Sequence, residues 1–116
     1  MTRGTMATAL TIALLTVGGL ADAASQSRDG QNRRVRIHNQ TGLALESLQA
    51  AAVGTGEFGA DLLGSAPIPT GASRPVLIDN GDNACRFDLK AGLAGGRTVV
   101  RESINVCRIS DYYLTL

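Results

Sequence analysis

The sequence contains no tryptophan, and its basic segment at 28–36 contains no aromatic residue of any kind. Proteins that bind single-stranded nucleic acid usually stack the bases on aromatic side chains, so we expect no nucleic acid as a partner. The formal net charge of +1 agrees, since it calls for no polyanionic ligand. We expect Arg34, Arg36 and His38 to project from one face of a solvated edge strand.

Histidine is equally scarce, with His38 as the single example in the chain. A nucleophilic hydrolase needs an activated serine or cysteine beside a base, commonly histidine, and the sequence has no G-x-S-x-G motif. Zinc lacks a set of ligands. We therefore predict no catalytic residue and no cofactor, with His38 facing solvent.

The chain also lacks an apolar run long enough to span a membrane. Met6 to Leu20 is about 15 residues long, whereas a spanning helix needs roughly 20. A basic start at Arg3, this short apolar run and an A-x-A end at 21–23 are the parts of a secretory signal peptide at 1–23. We expect cleavage after Ala23, a periplasmic or extracellular location, and no stable membrane anchor after cleavage.

Cysteine occurs twice, at Cys85 and Cys107, both beyond the expected signal peptide. A small exported domain gains from a covalent staple in an oxidising compartment, so we expect these two residues to form one structural disulfide. A redox pair and half of a metal site are the alternatives. The wide separation of the cysteines, and the absence of a partner motif for His38, favour the disulfide.

Short β-favouring runs recur through the rest of the chain. A polar segment at 24–32 is expected to be flexible, and beyond it the runs are spaced by about eight to twelve residues between Gly, Pro and Asn turns. In the best of them Cys85, Phe87 and Leu89 alternate with polar residues. The pattern predicts one all-β domain at 33–116, a small antiparallel β-sandwich.

One strand departs from simple alternation. After a hairpin loop expected at 91–96, strict alternation in 97–107 places Cys107 on the face opposite Ile104 and Val106. A bulge near 101–103 is expected to resolve this conflict, because an inserted residue reverses the phase of a strand.

The segment 54–64 has four glycines around three large apolar residues. We expect a loop that docks on the core through Phe58, Leu62 and Leu63, with Asp61 capping its backbone. Recognition tends to reside in loops on a rigid scaffold. Phe58, Asp61, Leu62 and Leu63 therefore form the predicted interaction loop.

Five short motifs follow one another in a specific order: N-x-T-G at 39–42, aromatic-G-x-D-x-L-G at 58–64, P-x-G at 69–71, C-x-F-D at 85–88 and N-x-C at 105–107. This order resembles a family of small exported bacterial β-sandwich domains of uncharacterised function. Phe58 stands where that family usually has tryptophan, and Gly95 where it usually has aspartate. The resemblance implies the sandwich fold and no established activity. It also favours a strand with a phase break for 43–53, where the residues alone fit a helix equally well.

The acidic residues leave two further chemistries open. A carboxylate-dependent hydrolase would need at least two of them to meet in one pocket. The turn at 79–83 offers hard oxygen ligands for calcium, although its spacing does not fit an EF-hand loop. Turn and strand-surface roles are favoured for the whole set, which comprises Asp61, Asp79, Asp82, Asp88 and Glu102.

The favoured hypothesis is a non-enzymatic exported structural or interaction module. Its partner is unknown, and a protein or a cell-envelope component is the expected kind. The alternatives are a small secreted carboxylate-dependent hydrolase and a calcium-stabilised or inhibitor-like binding module.

Overall fold

The computed structural model describes residues 26–116, and the signal peptide expected at 1–23 lies outside the described residues. All regular structure in this part of the chain is β, and no described helix could cross a membrane. Six strands form two three-stranded sheets. They are β1 (Arg34–Gln40), β2 (Leu45–Ala52), β3 (Ser73–Leu77), β4 (Arg86–Leu93), β5 (Arg97–Asn105) and β6 (Asp111–Thr115). The all-β fold with one disulfide is confirmed.

The first sheet has the order β3-β1-β6. β1 pairs antiparallel with β3 and parallel with β6, so it is the central strand. The expectation that Arg34 and Arg36 lie on an edge strand is therefore wrong. The alternation itself is confirmed, because Val35 and Ile37 are buried while the two arginines are exposed.

The second sheet is antiparallel and has the order β2-β4-β5. The register of β2 shifts between Leu45 and Ser47. This shift turns both Leu45 and Leu48 toward the core, which produces a helix-like spacing on a strand. The strand with a phase break predicted for 43–53 is thus confirmed.

The hairpin between β4 and β5 is tighter than predicted. The loop expected at 91–96 is wrong at its start, because Ala91 and Leu93 continue the buried face of β4 and the turn occupies only 94–96. The bulge in β5 is confirmed. Phe87 pairs with Ile104 but Leu89 pairs with Arg101, and Ser103 has a φ of 55°.

The core lies between the two sheets and is closed by connecting segments. The first sheet contributes Val35, Ile37, Val76 and Leu114. The second contributes Leu45, Leu48, Phe87, Leu89, Ala91 and Leu93. The connections add Leu63, Ile68, Ile78 and Val106. Burial of these side chains is the main favourable term for folding.

Asn39 places a polar side chain inside this core. Its Nδ2 donates to the carbonyl oxygens of Leu43 and Ile68, at 2.7 and 2.8 Å, and its Oδ1 accepts from the N–H and hydroxyl of Thr41. Asn39 is fully buried. Asn39 therefore organises the N-x-T-G motif at 39–42 into a turn.

Three of the four edge strands in the described part carry features that oppose pairing with another chain. Along β2 the edge is already bonded, to Ile68 through a β-bridge and to Leu62 through its N–H. β3 contains Pro75, which has no N–H to donate. Arg101 on β5 pairs with Leu89 and so points to the core side, where it donates to the Thr115 carbonyl of β6. Recognition by strand addition is disfavoured at these edges.

Candidate functional site

The loop between β2 and β3 is held from behind by Asp61. Its Oδ1 accepts hydrogen bonds from the N–H groups of Leu48, at 2.9 Å, and Leu63, at 3.0 Å. The Leu62 N–H donates in turn to the Leu48 carbonyl, at 2.7 Å. One carboxylate thus satisfies both its own loop and the edge of β2, which confirms the predicted capping role of Asp61.

Of the three predicted apolar anchors, the structure places two where they were expected. Leu63 is buried in the core, and Leu62 is partly buried against it. Phe58 as a core anchor is wrong. It lies on the outer face of the second sheet, where the Nζ of Lys90 is 5.2 Å from its ring centroid. Lys90 faces outward because its neighbour on β4, Leu89, faces the core.

A pocket of about 260 Å³ opens beside the anchored half of this loop. Its walls combine apolar side chains with two carboxylates. The lining residues are Ala50, Gly59, Ala60, Asp61, Leu62, Asp79, Asn80 and Phe87. The pocket brings together Asp61 and Asp79 from the acidic set, whereas Asp88 accepts the Ser103 N–H at the β5 bulge.

Asp79 is bound on both oxygens by backbone and hydroxyl donors. Its Oδ1 accepts from the Ser27 hydroxyl, at 2.6 Å, and from the Gly81 N–H, at 2.9 Å, while Oδ2 accepts from the Ser27 N–H, at 2.9 Å. Burial tends to raise the pKa of Asp79, but these hydrogen bonds outweigh burial and hold the pKa below its usual range. Asp79 is therefore negatively charged at neutral pH.

The segment expected to be flexible at 24–32 makes specific contacts from Ser27 onward. Besides the bonds from Ser27 to Asp79, the Arg28 N–H donates to Oδ1 of Asn83, and the Asn83 N–H donates to the Ser27 hydroxyl. These bonds dock the segment on the turn at 79–83. Flexibility there stays a prediction for a solution measurement.

Arg33 belongs to the basic segment at 28–36, and it is buried, with 2% of its surface exposed. Its guanidinium forms two hydrogen bonds with Asp29, both 2.7 Å long, and its Nε donates to the Ala84 carbonyl at 2.6 Å. This bonding holds the pKa of Asp29 far below its usual range, mainly through the hydrogen bonds from Arg33, and raises the pKa of Arg33. A carboxylate four residues before an arginine was the only sequence signal for this pair.

Cys85 and Cys107 form a disulfide, with Cα atoms 5.3 Å apart. This confirms the predicted pairing and is compatible with an oxidising environment. The bulge at Ser103 brings Arg101 and Ile104 to the same face of β5, but it lies before Ile104 and leaves the phase of Cys107 relative to Val106 unchanged. Cys107 lies instead in the turn at 106–108 that follows β5, where it meets Cys85. The disulfide joins the residues that flank the open ends of β4 and β5, so it acts as a staple.

His38 lies on the outer face of the first sheet, as predicted, but it is not simply solvated. Its ring stacks on Tyr113, with centroids 4.2 Å apart, and its Nε2 lies 2.8 Å from Oδ1 of Asp111. The parallel pairing of β1 with β6 creates this cluster. Sequence reasoning missed it because the two strands are far apart in the chain.

The turn at 79–83, which was considered as a calcium site, has its main oxygen ligands already engaged in hydrogen bonds. Asp79 uses both oxygens for hydrogen bonds, and Oδ1 of Asn83 accepts from Arg28. Across residues 26–116, no three His, Cys, Asp or Glu side chains lie together in a way that could hold a metal ion.

Comparison of the chain with protein-family models, with curated proteins and with solved structures found no match. The function must therefore be argued from the loop, the pocket and the surrounding contacts.

Proposed function

We propose that this protein is exported to the periplasm or the extracellular space and acts there as a non-enzymatic interaction module. The signal-peptide pattern at 1–23 supports export, and the Cys85–Cys107 disulfide suits the oxidising compartments that export would reach. The proposed contact surface is the exposed part of the loop at 54–60 together with the adjoining pocket.

The observation that carries the proposal is the way this loop is held. Asp61 and Leu63 lie in the second half of the 54–64 loop and fix it to β2 and the core. Six of the seven residues of 54–60 are exposed, and Phe58 is half-buried beneath Lys90. A loop that is ordered before binding loses less conformational entropy when a partner docks. The arrangement therefore suits recognition by a fixed loop on a rigid scaffold.

The edges of the sheets favour the same surface. Proline, an inward-pointing arginine and a covering segment oppose strand addition at β3, β5 and β2. A partner that cannot extend a sheet at these three edges contacts loops, sheet faces or the remaining edge, β6. The loop at 54–60 belongs to the connection at 53–72, which is the longest between two strands in the described part of the chain.

Affinity capture with matched variants tests the proposal. The purified exported chain is used as bait in an envelope extract of the producing cell, beside a loop variant with Glu57→Arg and Phe58→Ala. Glu102→Arg on β5 is the control, because it makes the same charge change at an exposed site outside the loop. A partner retained by the wild type and the control but lost with the loop variant supports the proposal. Retention by the loop variant contradicts it.

A carboxylate-dependent hydrolase is the second candidate, because Asp61 and Asp79 line one pocket. The lowered pKa of Asp79 keeps its carboxylate ionised, which suits a nucleophile and is unfavourable for a general base or a general acid. Turnover of chromogenic ester or glycoside substrates, abolished by Asp61→Asn in a folded variant, would favour this candidate over the binding module.

A further inference from the structure

We propose that the pocket between 59–62 and the turn at 79–80 binds an alkylammonium group, supplied by a lysine side chain or by a small primary amine. This inference rests on the proposed function, since it names the chemistry that the contact surface recognises. It follows from the shape, the lining and the charge of the pocket.

The volume and the lining fit a short aliphatic chain. The pocket measures about 260 Å³, which is several times the roughly 30 Å³ that one water occupies in the liquid. Ala50, Leu62 and Phe87 supply apolar walls, and Phe87 forms part of the buried core. Methylene groups placed against these walls would leave water. A fully polar ligand would forgo that contact.

The charge of the pocket selects a cation. Asp61 and Asp79 line it, and no lysine, arginine or histidine among residues 26–116 does. Leu48 and Leu63 both bond to Oδ1 of Asp61, so Oδ2 has no hydrogen-bond partner in the described part of the chain. Every buried side-chain oxygen there has a partner, which makes this Oδ2 an accessible acceptor. An ammonium group carries three donors and no acceptor, and it complements such an oxygen.

An organic cation fits better than a metal ion. Calcium takes six to eight oxygen ligands, whereas much of this pocket is formed by alanine, leucine and phenylalanine side chains. Asp79 already uses both of its oxygens to hold Ser27 and Gly81. Its charge can attract a cation at a distance, while Asp61 offers the direct hydrogen bond.

The test is an NMR titration of the ¹⁵N-labelled exported chain with n-butylammonium, with n-butanol as the neutral probe of nearly the same shape. We expect butylammonium to shift the amide signals of 59–62 and 79–81, with roughly millimolar affinity for so small a ligand. Butanol should bind more weakly at the same place. Equal binding of the two probes, or shifts confined to other residues, would overturn the inference.

Asp61→Asn is the matched variant, because an asparagine Oδ1 still accepts the two backbone hydrogen bonds while the charge is removed. This substitution should weaken butylammonium binding by roughly fivefold and leave the affinity for butanol unchanged. Glu102→Gln removes a negative charge on β5, outside the pocket, and should leave the affinity for both probes unchanged. Unaltered amine binding in Asp61→Asn would contradict the role of Asp61.

Two further comparisons identify the source of the amine and separate this inference from the proposed function. A lysine tripeptide that binds more tightly than butylammonium, while its norleucine counterpart does not, indicates a protein partner. Weaker binding of the lysine tripeptide than of butylammonium indicates a small amine. If affinity capture depends on the loop but the amine does not bind, the pocket inference fails and the interaction module stands. If the amine binds but the loop variant still captures the partner, the pocket inference stands and the interaction module fails.

Discussion

Arg33 binds Asp29 through two parallel hydrogen bonds, from Nη1 to Oδ1 and from Nη2 to Oδ2. The same guanidinium donates through Nε to the carbonyl of Ala84, the residue before Cys85. One buried side chain thus joins the segment before β1 to the disulfide end of the sandwich. The docked segment also supplies Ser27, which holds Asp79 at the wall of the pocket.

Replacing this arginine should destabilise the domain. Arg33→Met keeps much of the side-chain volume but leaves the Ala84 carbonyl without its donor, at an expected cost of about 1–3 kcal/mol in the free energy of unfolding. Arg34→Met is the matched control, since Arg34 is exposed, and should change stability by less than about 0.5 kcal/mol. Urea denaturation measures both variants, and equal midpoints would contradict the structural role of Arg33.

Stability should fall in acid because of the aspartates that hold this segment. Asp29 and Asp79 have pKa values lowered by folding, so the unfolded chain takes up protons near pH 4, before the folded domain does. Their contribution is fully present above about pH 5 and is lost as the pH falls further. Thermal melts between pH 7 and pH 3 should show this decline. The melting temperature should fall less steeply with decreasing pH in Asp29→Asn and Asp79→Asn. The same slope as the wild type in both variants would contradict the role of these two aspartates.

The two apolar ends of the loop should behave differently on truncation. Leu63 is 6% exposed and packs in the core, so Leu63→Ala should cost about 2–4 kcal/mol. Phe58 lies on the outer face under Lys90, so Phe58→Ala should cost less than about 1 kcal/mol. Denaturation of both variants decides the matter. A larger loss of stability for Phe58→Ala than for Leu63→Ala would contradict this account, because it would show that Phe58 is the main anchor of the loop.

The disulfide should make a large contribution to stability. Its loop spans 22 residues of sequence separation, for which the chain-entropy model gives about 3 kcal/mol. The double variant Cys85→Ser and Cys107→Ser should therefore unfold at a lower urea concentration. Mass spectrometry of the exported protein with and without reductant provides the control. Two free thiols in that protein would contradict both the staple and the proposed compartment.

Local sequence pattern was sufficient for most of the fold. Alternation predicted the buried faces at Val35 and Phe87, and a break in alternation predicted the position of the bulge in β5, although Cys107 is placed by the turn that follows this strand. Each of these features depends on neighbours in sequence, where the period of a strand is directly visible. The end of β4 was missed because Gly92 interrupts the pattern that Ala91 and Leu93 continue.

Contacts between distant segments were beyond the sequence. The central position of β1 depends on a parallel partner that enters only with β6. Burial of Arg33 depends on Asp29 and Ala84 together, and the Ala84 carbonyl comes from a segment about 50 residues further along the chain. The pocket combines Asp61 with Asp79 across two separate loops. Asp61 was predicted as a backbone cap, but its second role at the pocket wall required the tertiary arrangement.

Site-specific photocrosslinking tests the proposed contact surface most directly. A photoreactive side chain is placed at Glu57, at the exposed part of the loop, and separately at Glu102 on β5. Both chains are expressed in the producing cell, exported and irradiated. We predict a discrete crosslinked partner from position 57 and none from position 102. Crosslinks from position 102 alone, or the same products from both positions, would contradict recognition through this loop.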